Sequence, residues 1–172
     1  MVTGRIDPTY GDASATAPPW DVIERRLIDA QLYWFISVRR DGRPHAVPLV
    51  GVWHEGAFAF CTGPDEQKSR NLECNSQVAV TTGSLGGEGW DSGKDIAVEG
   101  TALRVTHSDA LEVLAGAWFD KYGEDWKWEV RGQEFVELSD SGGGQGGAWV
   151  YRVPPTKVIV FGDSHGQTTY RF

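Results

Sequence analysis

Cysteine, histidine and long apolar runs are all scarce in this chain of 172 residues. The two cysteines, Cys61 and Cys74, form no CxxC pair. The four histidines do not cluster near them at zinc spacing, so a structural zinc site is not expected. Both thiols read as reduced and structural, with Cys61 buried in a strand. No apolar stretch approaches the length of a membrane span. The first twenty residues carry no apolar h-region, which predicts no secretory signal and a cytoplasmic protein. Basic blocks are missing too. With a net charge of −8, a nucleic-acid partner is not expected. No G-x-S-x-G occurs, and no Ser/His/Asp arrangement can be asserted. The glycine-rich SDSGGGQGG lacks the order of a phosphate-binding P-loop and reads as a mobile hairpin tip. No internal repeat is visible.

Glycine and aromatic residues, by contrast, are plentiful: 22 Gly, eight Trp and 12% aromatics. Many strands joined by tight turns would use both. The length fits one domain with a sizeable core, or one that shares its core with a partner.

Residues 1–17 are rich in Gly, Ala, Ser, Thr, Asp and Pro without periodicity, and read as a flexible or loosely docked arm. Residues 18–172 read as a single domain. Pro18-Pro19-Trp20-Asp21 opens a short amphipathic helix over 20–30, with Val22, Ile23, Leu27, Ile28 and Ala30 at helical spacing. Residues 33–39 are dense in β-formers and end at the hairpin signal Asp41-Gly42. A second strand covers 45–54, with a turn at His54-Glu55-Gly56. A third covers 56–61 and is broken by Thr62-Gly63-Pro64. Pro64 suits the first turn of the charged helix that follows, and strand composition returns over 77–82. The next thirteen residues, GSLGGEGWDSGKD, suggest no regular structure. Trp90 within them would need something to cover it. Residues 96–106 form a long strand in which Gly100 marks a bulge or a close backbone approach. Ser108 caps a helix whose buried face is Leu111, Leu114, Ala115 and Trp118, and Gly123 ends it. Trp126 and Trp128 read as packing residues, and 134–138 as a short strand or helix. Strands at 149–153 and 157–161 are split by Pro154-Pro155, and 167–172 finish as strand. About seven strands with hairpin connections favour an antiparallel barrel over a parallel sheet.

Chemistry concentrates where the 56–61 strand feeds a helix. A Thr62 hydroxyl, free backbone N–H groups and the positive end of a helix together suit a bound phosphate. Lys68 and Leu72 share a helix face, so Leu72 packs on the sheet while the Lys68 ammonium reaches the strand ends. Arg70 lies about 200° round from Lys68 at about 100° per residue. The two therefore do not grip one phosphate from a regular helix. A mixed-charge surface helix that binds nothing fits the same spacing.

Several pieces, in order, resemble the pyridoxamine 5′-phosphate oxidase-like flavin-binding split barrels. They are HAVPLVGVW, FAFCTG followed by QKSRNLE, DIAVEGTALRVT, KYGEDW, and PTKVIVFG with a terminal QTTYRF. The resemblance runs from about Trp20 to Phe172. It implies a mainly β chain with short helices: a six-stranded antiparallel Greek-key split β-barrel, homodimeric, with two cofactors at the interface. By that likeness Val47, Pro48, Leu49 and Val50 flank the flavin ring. The family's Tyr-Thr pair at the phosphate corresponds to Cys61 and Thr62, and its helix Arg-Lys pair to Gln67 and Lys68. Thr62 and Lys68 match, Cys61 and Gln67 depart, and Arg70 is the candidate second cation.

His45 and Val50 stand where the true oxidases have the Arg and Lys of this strand, and the Arg-rich substrate ending is missing. Both departures argue against pyridoxamine phosphate as substrate. The chain looks closer to the flavin or deazaflavin oxidoreductase branch, with Gln167 and Arg171 as candidate cofactor contacts. The resemblance therefore implies an FMN-dependent oxidoreductase passing a hydride between reduced cofactor and a small organic substrate. The hydride chemistry is the cofactor's, and Trp90 is a candidate wall of the partner's groove. A deazaflavin on the same fold is the alternative. A non-catalytic flavin-, haem- or tetrapyrrole-binding protein, with His45, His54, His107 or His165 as axial ligand, is the second class.

Overall fold

A computed structural model describes residues 2–12, 14–86, 89–137, 147–162 and 166–172, the side chains of 84–93 excepted. The expected glycine-rich tip, the groove role of Trp90 and the ligand role of His165 lie outside the described residues. The elements in order are β1 (Arg5–Ile6), α1 (Trp20–Asp29), β2 (Tyr33–Val38), β3 (Pro44–Leu49), β4 (Val52–His54) and β5 (Ala57–Thr62). Then follow α2 (Gln67–Cys74), β6 (Gln77–Gly86), β7 (Gly89–Thr101), β8 (Leu103–Val105) and α3 (Ser108–Tyr122). A 3₁₀ turn, Gly123–Trp126, leads to β9 (Trp128–Arg131), β10 (Glu134–Glu137), β11 (Trp149–Val153), β12 (Pro155–Gly162) and β13 (Gly166–Arg171).

Pairing is antiparallel throughout. One sheet runs β1-β13-β12-β7-β6-β2-β3 and another β4-β5-β11-β8, with a separate β9–β10 hairpin. Three strands change sheet partway: β3 continues as β4, β7 as β8 and β11 as β12. Each continuation counted as one strand, the ladders close a ring of six: β3/β4, β5, β11/β12, β7/β8, β6, β2. This is the expected split barrel, with its seams at Gly51, Ala102 and Pro154.

Close approach shapes two of the seams. A Cβ on Gly51 would meet Ala59 O and the Phe58 ring at 2.6 Å, and one on Gly100 would meet Pro154 O at 2.4 Å. The close approach read for Gly100 is therefore present, and the β12–β7 register shifts beside it. The single strand expected over 45–54 is two strands in two sheets, because the chain bends at Gly51 to cross the barrel. The region after Thr82, expected to be irregular, instead extends β6 and begins β7 as a long hairpin; the neighbouring strand supplies the backbone partners that its composition does not signal.

Inside the barrel sit Tyr33, Phe35, Phe58, Phe60, Val80, Val98, Val158 and Tyr170, with α1 closing one end through Ile23 and Leu27. Each such buried side chain is worth about 1.5–3 kcal/mol over its exposed state. Helix α1 begins at the expected Pro-Pro entrance, and Asp21 in its first turn meets the positive helix end. A second core lies between the smaller sheet and α3. There Leu111, Leu114, Ala115 and Trp118 are buried, as their spacing predicts, against Val150 and Phe135. The cap of α3 is His107 instead of Ser108, whose hydroxyl points to Asp109.

The N-terminal segment, read as a flexible or loosely docked arm, contacts the domain at several points. Arg5 and Ile6 pair with Thr169 and Thr168, and Gly4 lies against the Tyr170 ring. Tyr170 in turn donates to Pro18 O at 2.7 Å.

Candidate functional site

Alternation along β5 decides what faces the helix that follows it. Phe58 and Phe60 point into the barrel, so Thr62 does too, and it is buried at the strand's end. Cys61 therefore points the other way, against the α3 core. Its thiol is pushed up to about 12, first by burial and then by the Glu66 charge. Cys61, which stands in the place of the family's Tyr, thus offers its backbone and not its side chain to the Thr62 side.

Pro64 does not open the helix. Residues 63–66 make a turn closed by Glu66 N donating to Gly63 O at 3.1 Å, and α2 starts at Gln67. That turn builds a small polar cradle. Gly63 N–H donates to Glu66 Oε1 at 2.9 Å, Lys68 Nζ pairs with Glu66 Oε2, and Ser69 Oγ donates to Gly63 O at 2.8 Å. Burial presses the Glu66 carboxyl upward in pKa. The hydrogen bonds from Lys68 and Gly63 outweigh it and leave the carboxyl below its ordinary value. The Thr62 hydroxyl is the smallest of these influences, and no atom completes a well-formed hydrogen bond with its buried Oγ1.

Helix α2 meets β2 and β3 through a polar network. Gln67 Nε2 donates to Asn71 Oδ1 at 2.7 Å. Asn71 Nδ2 donates to Ser37 Oγ at 2.8 Å and lies 3.3 Å from His45 Nδ1. An amide donor on Nδ1 places the histidine proton on Nε2. Burial, then the charges of Arg39 and Lys68, lower the His45 pKa and favour the neutral ring. The departure Gln67 is therefore a network member and not a free ligand. The Lys68 side chain is 15% exposed and turns back to Glu66, Leu72 one turn on is buried, and Arg70 is exposed.

Strand β3 is the free edge of the large sheet. Every second residue there turns its N–H and C=O away from β2. Pro44 and Pro48 fit this place, since proline is confined to edges. Side chains of Val47 and Leu49 share a face with Phe35 and Tyr33, and Pro48 shares the outer face with Trp34. Val50 follows, just past the strand end. The four residues thus present one backbone edge and no common side-chain face. Gln167 and Arg171 lie on β13, which pairs with β12 at the end of the large sheet away from β2 and β3.

Open grooves lie on the outer face of this sheet. One of about 880 Å³ runs between α1, with Asp21, Arg25 and Arg26, and Thr82 and Gly83 of β6. A second of about 520 Å³ adjoins it, lined by Leu32, Trp34 and Phe161. Trp34 is 48% and Phe161 44% exposed.

Among the described residues no group of His, Cys, Asp or Glu could hold a metal ion, and no helix is long and apolar enough to cross a membrane.

Comparison with known proteins fits this geometry. A haem-binding protein from Mycobacterium smegmatis shares the fold at 15% identity, over 91% of this chain and 60% of its own, with TM-score 0.68. A FAD-binding protein from Mesorhizobium loti does so at 13%, over 100% and 99%, with TM-score 0.59. An F420 reductase does so at 20%, over 78% and 94%, with TM-score 0.51. No curated protein matches by sequence. The family model described as pyridoxamine 5′-phosphate oxidase matches residues 20–149. With most of its length so matched, and its six barrel strands closed as a split barrel, the chain belongs to the pyridoxamine 5′-phosphate oxidase family.

Proposed function

We propose that this chain is a flavin-dependent oxidoreductase that acts as a homodimer, with FMN as its cofactor and a small organic molecule as its substrate. The observation that carries the reading is one juxtaposition. The free backbone edge of β3 and the Thr62–Lys68 cradle flank the same polar network, joined through His45 and Asn71. A planar ring with amide-like edges and a polar tail needs those two features side by side. The buried Thr62 Oγ1 without a partner fits the tail, since a buried hydroxyl is ordinarily hydrogen-bonded.

When bound, the flavin supplies the hydride chemistry. The protein's residues bind and orient. β3 offers main-chain N–H and C=O groups along 47–50, and Lys68 and the Gly63 N–H offer positive character to the tail. The neutral His45 holds its proton on Nε2. A second copy on the apolar outer face around Trp34 and Phe161 would bring its own Gln167 and Arg171 to the groove and exclude water from it.

An absorption spectrum of the purified protein, followed by titration with FMN and with deazaflavin, tests the reading. Flavin bands or tight FMN uptake support it. Uptake of deazaflavin without FMN moves the chain to the deazaflavin reductases, a cofactor class that the F420 reductase neighbour makes specific. A haem Soret band with no flavin uptake would replace the reading with haem binding through a neutral histidine such as His45.

A further inference from the structure

We infer that Glu66 sets which cofactor tail this site accepts, because its carboxylate is seated on the donors that a phosphate would take. This rests on the flavin reading above. Two donors converge on the cradle from the turn and the helix: the Gly63 N–H and the Lys68 ammonium. Glu66 takes both, one with each carboxylate oxygen. The remaining serine is committed elsewhere, since Ser69 Oγ donates to Gly63 O. The Thr62 hydroxyl is left, buried beside the carboxylate and, among the described residues, without a well-formed hydrogen bond.

Charge leads to the same place. Lys68 and Glu66 sum to zero. Arg70 is exposed to solvent. A phosphate dianion entering this cradle meets a carboxylate already on its donors. A neutral tail of hydroxyls meets no such repulsion and can pair with Thr62. The Glu66 side chain is 52% exposed and sits in the turn before α2. It can therefore swing into solvent when a phosphate displaces it, at the cost of its two contacts. Glu66 thus acts as a specificity residue: FMN must displace it to reach Lys68 and the Gly63 N–H, so it moderates the affinity for the phosphorylated tail and leaves an uncharged one unaffected.

The test measures the affinities of FMN and riboflavin for the full chain by fluorescence quenching, in wild type, Glu66→Gln and Glu66→Ala. Glu66→Gln keeps the shape of the turn and removes the charge; Glu66→Ala removes the competitor. Both variants are expected to bind FMN about tenfold tighter or more, since one like charge beside a phosphate is removed. Riboflavin affinity should stay within about twofold, because it carries no phosphate. Unchanged or weaker FMN binding in Glu66→Gln overturns the inference while leaving the flavin reading in place. An equal change for FMN and riboflavin overturns it also, since Glu66 would then act through the ring or the fold. Binding of neither molecule to any of the three proteins removes the flavin reading, and the inference with it.

Discussion

The ammonium of Lys121 donates to the carbonyl of Gly51 across 3.1 Å and ties α3 to the seam where one barrel strand crosses between sheets. The same ammonium donates to Tyr33 Oη at 3.0 Å, and Tyr122 Oη donates to Gly51 O at 2.8 Å. Gly51 has no room for a side chain, so its carbonyl is the handle by which the helix holds the seam.

Burial lowers the Lys121 pKa from 10.5 to about 8. Below about 8 the amine is charged in both folded and unfolded chains, and the folded chain bears the cost of burying it. Between about 8 and about 10.5 the unfolded chain still holds the proton that the folded chain has released, so stability rises with pH. Tyr33 and Tyr122 act oppositely at higher pH, because burial raises both. Cys61 does the same above about 9. The Lys121 contribution is isolated by difference. Urea unfolding of wild type and Lys121→Met from pH 7.5 to 10 should show a more positive slope in the wild type. Parallel curves would show that the amine does not titrate between the two states.

Gly51→Ala should destabilise the fold by about 1–3 kcal/mol, because its Cβ must push Ala59 O or the Phe58 ring aside. Gly116→Ala on exposed α3 is the control. Nothing lies within 4 Å of its Cβ, and alanine there should stabilise by about 0.5–1 kcal/mol. Thermal melts of both variants decide it, and shifts of the same sign would remove the close-approach account of the seam.

Periodicity made much of the fold legible. Ile23 and Leu27, and the four buried positions of α3, announce helices because one face repeats every turn. The three seams were harder. Pro154 is visible as a breaker, but Gly51 and Ala102 interrupt runs of strand-forming residues, and only the closing of the ring says that the chain must bend there. Residues 83–86 and 89–95 differ for the opposite reason: glycine and serine suggest a loop, whereas hydrogen bonds from the neighbouring strand hold the backbone extended.

At the site, Thr62 and Lys68 were legible from strand-to-helix order and helix spacing. Cys61 corresponds to the family's Tyr by position, and strict alternation from Phe58 and Phe60 sends its side chain to the face opposite Thr62. Glu66, Ser69, Asn71 and Ser37 went unread. Their roles depend on which polar groups become buried together, and the i, i+4 pair Gln67–Asn71 was the one local hint.

Trp34 and Phe161 stand half-exposed on the outer face of the large sheet, and the homodimer proposed here buries them. Trp34→Asp should turn a wild-type dimer into a monomer in sedimentation velocity, because a desolvated aromatic near the centre of an interface is worth about 2 kcal/mol or more. Bound flavin should be lost with the partner. A wild type that sediments as a monomer at all concentrations would end the dimer proposal.

The two thiols should differ in reactivity. Cys74 is exposed, while Cys61 is held neutral against the α3 core. A thiol-exchange reagent at pH 8 should titrate Cys74 quickly and reach Cys61 only on unfolding, because the thiolate is the reactive form. Equal rates would show that β5 opens far more readily than its burial suggests.

Lys68 and Arg70 separate contact from general charge. Both are cations on one helix, two residues apart, yet Lys68 turns back to Glu66 and Arg70 is exposed to solvent. Lys68→Ala removes a charged hydrogen-bond donor worth about 1.5–3 kcal/mol, so FMN should bind about tenfold more weakly or worse. The dimer should survive, since Lys68 pairs with Glu66 in its own chain. Arg70→Ala removes the same formal charge from the other face, where solvent screens it, and should change FMN affinity by no more than about twofold. Riboflavin affinity should respond little to either variant, because its tail carries no charge for Lys68 to meet. If both variants weaken FMN equally, the phosphate is held by the field of the whole helix and the assignment of Lys68 as its direct partner fails. If Lys68→Ala alone has no effect, the tail does not reach the cradle at all, and the β3 edge must hold the cofactor by its ring.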